Sequence, residues 1–166
     1  MLEFSKRVNS KSAVAESLTL PYRQRQKSRQ RVVLDSGKEA GILLDHGKRL
    51  HGGDILCTRD GYCLRVIEAL EPVSTVFTNN SQALARASYH VGNRHIPIQI
   101  GKNWIRYERD HVVDDMIRRL DLTPKHEIAP FEPEDGAYNK HSHENKDSRS
   151  PIHSDLKNST GRTKTS

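Results

Sequence analysis

At 166 residues the chain has room for one ordinary domain or two small ones, and a hydrophobic fraction of 34% gives it a modest core. No apolar run is long enough to span a bilayer, and Met1 to Leu20 lacks the apolar centre of a secretion signal. With two cysteines and a net charge of +6, this excludes a membrane protein and a disulfide-built secreted domain, and places the chain in the cytosol.

Residues 1–70 read as an all-β domain. Short alternating runs occur at Ser17 to Leu20, Arg31 to Leu34, Ala40 to Leu44, Asp54 to Thr58 and Tyr62 to Ile67. They are punctuated by Asp35-Ser36-Gly37, Asp45-His46-Gly47, Gly52-Gly53 and Asp60-Gly61, turn signals frequent enough for a small barrel or sandwich. Between the first two runs, Arg23, Arg25, Lys27, Arg29 and Arg31 alternate with uncharged residues, so an extended backbone makes one basic edge. That edge reads either as a docking strip for an acidic partner or phosphates, or as a solvated ribbon guarded against self-pairing. A two-residue turn at Asp60-Gly61 sets Thr58 opposite Cys63 and Cys57 opposite Leu64. The two sulfurs then point to opposite faces, which argues against a disulfide or a shared metal.

Residues 71–138 change pattern to strand, helix, strand, strand, helix, strand: the βαββαβ order of a ferredoxin-like domain. Val73 to Thr78 is the first strand. A helix follows, capped by Asn79, Asn80 or Ser81, with Leu84, Ala87 and Val91 on one face and Gly92 just past its end. Ile96, Ile98 and Ile100 alternate, and Gly101-Lys102-Asn103 turns the chain into Trp104 to Tyr107. Asp110 caps a second helix with an apolar stripe of Val112, Val113, Met116, Ile117 and Leu120, and Glu127 to Phe131 closes the sheet. Residues 139–166 carry one Ile and one Leu among polar residues and form an expected disordered tail. The fold class is therefore α+β in two domains with a tail.

Charge is unevenly spread. Residues 1–70 hold 13 Lys/Arg and 8 Asp/Glu, residues 71–138 hold 8 and 10, and residues 139–166 hold 6 and 3. The histidine-bearing middle is thus the acidic part, which favours a bound cation.

Histidine carries the candidate chemistry. His95 begins an alternating segment whose Ile96/Ile98/Ile100 face takes the core, so its ring points elsewhere. Neutral imidazole without nearby thiolate suits nickel, copper or zinc, and one imidazole per chain becomes two across a two-fold dimer. His111, just after the cap Asp110, reads equally as a ligand or as a solvated residue of the first helical turn. His141 and His143 form an H-x-H pair able to chelate weakly from the tail. His90 near a helix end suits a dipole role, while His46, His51, His126 and His153 read as exposed. No phosphate loop, nucleophile elbow or H-E-x-x-H motif is present, so the chain does not read as an enzyme.

Several blocks resemble the urease accessory protein UreE family of nickel metallochaperones. They are Leu20-Pro21, Arg25 to Arg29, Gly41 to Leu44, Gly53 to Leu56, Tyr89 to Ile100, Asp110 to Met116, and Pro130 to Glu134 with Gly136-Ala137-Tyr138. The resemblance implies an N-terminal domain that docks peptides or partners, and a C-terminal domain that dimerises and binds Ni2+ through His95 of both chains. His111 would lie in a secondary region, with His141 and His143 adding ligands, and Zn2+ or Cu2+ competing. The implied partners are the urease apoprotein and the other accessory proteins, including a GTPase, with no membrane and no nucleic acid. Arg109 stands where some relatives have a histidine, which implies few nickel ions per dimer and a carrier rather than a store. The alternative is a basic adaptor that binds an acidic protein or nucleic acid through Arg23 to Arg31.

Overall fold

Frequent turns cut the first part of the chain into short strands: β1 (Leu2–Phe4), β2 (Lys6–Val8), β3 (Glu16–Leu20), β4 (Arg29–Val33), β5 (Glu39–Leu43), β6 (Ile55–Cys57) and β7 (Cys63–Glu68). One helical turn, α1 (Tyr22–Arg25), interrupts them. The computed structural model describes residues 1–9 and 13–136. The sheets run β1-β5-β4 and β2-β6-β7-β3, and the β1/β5 and β3/β7 pairs are parallel. Phe4, Leu18, Ile42, Leu56 and Leu64 bury completely between them, each contributing about 1.5–3 kcal/mol of transfer free energy.

Two sequence expectations fail in this region. The basic strip is not one extended edge. Pro21 supplies a φ of −68° at the head of α1, the chain turns helical, and Arg25 is buried to 1% exposure. The hairpin register also differs by one residue. Thr58 N–H donates to Tyr62 O at 2.9 Å and Gly61 takes φ +83°, so Arg59-Asp60-Gly61 forms a three-residue loop. Cys57 then stands directly opposite Cys63, with Cα atoms 4.1 Å apart, and the two form a disulfide. A register slip of one residue moves every side chain to the other face, which is why a two-residue turn gave the wrong pairing.

The second part follows the βαββαβ order: β8 (Leu70–Phe77), α2 (Ser81–Gly92), β9 (Gln99–Gly101), β10 (Trp104–Glu108), α3 (His111–Arg118) and β11 (Pro124–Pro130). Its sheet runs β11-β8-β10-β9, all antiparallel, which is the ferredoxin-like arrangement with the first and third strands central. Val76, Ala87, Val91, Ile105 and Ile117 make its core. Asn80 Oδ1 caps α2 by accepting from Gln82 and Ala83 N–H, and Asp110 Oδ1 caps α3 by accepting from Val112 and Val113 N–H.

Three details depart from the sequence reading. Gly92 is the last helical residue rather than the residue beyond the end. The isoleucine strand shortens to Gln99–Gly101: Ile96 and Ile98 pack on the core, but Ile100 on the edge strand is 48% exposed. Val112 leaves the α3 stripe and is 49% exposed.

Met1–Asp135 forms one compact unit. Its two parts meet at Tyr22, Val73 and Phe131, with the Tyr22 ring edge-on to Phe131 at 5.3 Å. Tyr22 N–H donates to the buried Glu71 carboxylate at 2.7 Å. His141, His143, His153 and the rest of the expected tail lie outside the described residues.

Candidate functional site

His95 owes its position to the end of α2. Arg94 and His95 N–H donate back to Val91 and Gly92 carbonyls, closing the helix in a tight turn, and His95 takes φ +57°. A left-handed non-glycine residue costs roughly 1 kcal/mol, and the turn imposes that conformation here. The result is an exposed imidazole at a fixed corner rather than at a strand start. Pro97 then disfavours helix at Ile96 and sends the chain out toward β9.

The corner opens on a groove of about 420 Å³, lined by His95, Ile96 and Pro97 from this turn, Glu71 and Pro72 from β8, Glu108, Arg109 and Asp110 from the end of β10, and Arg23 from α1. Both parts of the protein therefore contribute to it. Its charged side chains are mostly committed. Arg23 Nε and Nη2 donate to the Glu108 carboxylate at 3.1 and 3.2 Å, Glu71 receives Tyr22 N–H, and Asp110 Oδ1 holds the start of α3. Three carboxylates against two guanidiniums leave the lining acidic by one charge, which favours a cation.

His111 occupies the first position of α3 next to Asp110 and is exposed. The structure thus sets His95 in the groove and His111 one residue beyond its rim. Among the described residues, no group of three or more His, Cys, Asp or Glu is gathered to hold a metal within one chain.

Two polar clusters escaped the sequence reading. His126 lies on β11, opposite Ser74, which is opposite Tyr107. Its Nε2 meets Asp114 Oδ2 at 2.6 Å, while the Tyr107 hydroxyl donates to Asp114 Oδ1 at 2.8 Å. Burial alone would raise the Asp114 carboxyl, but these hydrogen bonds outweigh it and hold the group below the usual carboxylate range. A histidine alternating with outward residues on a closing strand was the available signal.

The second cluster surrounds Glu132. Its carboxylate pairs with Arg25 and with His51 Nδ1 at 3.3 Å, and accepts Gly52 N–H at 2.9 Å. Arg49 donates to Pro133 O at 3.1 Å and pairs with Asp135. Burial would push the Glu132 carboxyl up. His51, Gly52 N–H and the Arg25 charge more than compensate, and bring it to about 2. His51 is therefore engaged in structure rather than simply solvated.

Among the described residues that line the groove, none pairs a nucleophile with a base, and the one imidazole, that of His95, sits among ion-paired groups and a helix cap. The arrangement suits binding. The model of the UreE urease accessory protein N-terminal domain matches residues 3–69, and that of the C-terminal domain matches residues 71–155. Urease accessory protein UreE of Alkalilimnicola ehrlichii is 50% identical over 138 residues, 83% of this chain and 85% of the relative. The same-named protein of Pseudomonas putida is 46% identical over 144 residues, 86% and 89% of the two chains. That of Citrobacter koseri is 48% identical over 144 residues, 86% and 95%. With both domains matched and relatives this similar over most of their length, the chain belongs to the UreE urease accessory protein family, whose members are accessory chaperones and not enzymes.

Proposed function

We propose that this protein is a cytoplasmic nickel metallochaperone that delivers Ni2+ for assembly of the urease active site. The observation that carries the reading is His95, an exposed imidazole on a rigid, left-handed corner in an acidic groove, in a chain of this family. In the proposal, two chains meet about a two-fold axis and each contributes His95, so that the principal site exists only in the homodimer. Tyr89 and Ile100, both exposed, lie on the elements that flank the His95 turn and supply apolar surface for such a contact. His111, His141 and His143 add secondary ligands, and Zn2+ or Cu2+ compete at a site built of imidazole alone.

A cargo site must also let go. Two shared imidazoles hold a metal less firmly than a closed set of four ligands, and an exposed corner gives a receiving protein access to the ion. In this reading the N-terminal β domain, residues 1–70, docks partners such as the urease apoprotein and the nickel-handling GTPase. Residues 71–138 bind metal and dimerise, and residues 139–166 act as a histidine-bearing arm. The basic-adaptor alternative loses its contiguous surface, because Arg25 is buried and Arg23 is paired with Glu108.

Calorimetric titration with nickel, comparing the wild type with His95→Ala, tests the proposal. The tightest event should fall at one ion per two chains and vanish in the variant. Equally tight binding by His95→Ala would move the site elsewhere and end this account.

A further inference from the structure

Among the described residues, one cation that lines the His95 groove has no side-chain partner. Arg23 is held by Glu108, but the Arg109 side chain has no ion pair or hydrogen bond among the described residues; only its backbone N–H is used, donating to Pro72 O at 3.1 Å. Arg109 is exposed and lines the groove together with Asp110 and His95. At the start of α3 the Val112 and Val113 N–H groups are already taken by Asp110 Oδ1. Glu71 is likewise occupied by Tyr22 N–H.

Resting on the nickel reading above, we propose that the groove takes its metal together with a small carboxylate or carbonate-type oxyanion, held on its outer oxygens by Arg109. The argument joins two vacancies. Two imidazoles leave most positions of a nickel ion open. Among the described residues no group of three or more His, Cys, Asp or Glu is gathered within one chain, and the groove carboxylates Glu71, Glu108 and Asp110 are already engaged by Tyr22 N–H, Arg23 and the start of α3. An oxyanion fills such positions with hard oxygen donors. A bare guanidinium beside a divalent cation is repulsive, whereas a guanidinium beside a metal-bound carboxylate forms a charge-assisted, two-pronged hydrogen bond. The anion thereby converts Arg109 from an opponent of metal binding into a contributor. No bond is made or broken beyond coordination, so release of the ion and its anion needs no further chemistry.

The test is a nickel titration by calorimetry on the full chain at constant ionic strength, in chloride alone, with added acetate, and with added bicarbonate. Wild type, Arg109→Gln and Arg109→Lys are compared. Acetate or bicarbonate should tighten the one-ion-per-two-chains event of the wild type by about tenfold. The gain should disappear in Arg109→Gln and shrink in Arg109→Lys, which keeps the charge but loses the fork. A gain from one anion alone identifies that source. Equal anion effects in wild type and Arg109→Gln would overturn the anion site and leave the nickel reading standing, as would a variant that binds nickel more tightly than wild type in every buffer. No nickel binding by the wild type in any buffer would overturn both.

Discussion

The Glu132 cluster and the His95 groove are both built from histidine, arginine and carboxylate, yet they differ in how far those groups are used up. Around Glu132 the guanidinium of Arg25 reaches the carboxylate and Leu20 O, and Gly52 N–H completes the set. In the groove, His95 is exposed and Arg109 has no partner for its side chain among the described residues. Polar groups satisfied by the chain hold the chain together, while polar groups left facing a cavity are available to something else. Residue type alone does not separate His51 from His95; the neighbours do.

That contrast predicts opposite outcomes for substitutions. Arg25→Ala leaves the Glu132 carboxylate part-buried without its buried cation, and should lower stability by about 3–5 kcal/mol in urea unfolding. A loss under 1 kcal/mol would mean that the cluster is as dispensable as a surface ion pair, and the comparison would fail at its structural end.

Acid sharpens the same end. Glu132 titrates near 2 in the folded protein, below the usual 4.5, so its contribution is complete above about pH 4.5 and fades as pH falls toward 2. The shift corresponds to roughly 3 kcal/mol at neutral pH. Glu132→Gln should therefore be less stable than wild type at pH 7 by up to that amount, and the two stability curves should converge by pH 2. Curves that stay parallel from pH 7 to 2 would place the stabilisation outside the carboxylate.

Sequence patterning shows the ferredoxin-like order, a first cap among Asn79, Asn80 and Ser81, the Asp110 cap and the strand-rich first part, because each rests on local periodicity or a local hydrogen bond; the structure selects Asn80. It also puts the His95 ring outside the core, and the structure leaves His95 exposed. What it missed depends on contacts distant in sequence or on one residue of register. Arg25 looked like one tooth of a basic comb, but its partner Glu132 lies 107 residues away. His126 is exposed as expected, but its bond to Asp114 joins two elements and leaves no local pattern. Cys57 and Cys63 were separated on paper by a turn one residue too short. β1 and β2 were missed since three-residue strands carry too little alternation to read, and only their pairing with β5 and β6 defines them.

The smallest expected effect is the most discriminating. His95 holds a φ of +57°, a conformation that glycine adopts freely and that costs histidine roughly 1 kcal/mol. Replacing it with glycine removes that strain, while the greater freedom of glycine in the unfolded chain cancels part of the gain. His95→Gly should thus melt at the wild-type temperature or slightly above, a change in stability of no more than about 1 kcal/mol. At the same time it should lose the tight nickel event completely. On the nickel reading proposed above, a functional residue kept at some structural cost behaves in this way, since the imidazole would contribute only once a metal binds. If His95→Gly instead unfolds as readily as Arg25→Ala, the ring is part of the fold, and the distinction between the two regions disappears.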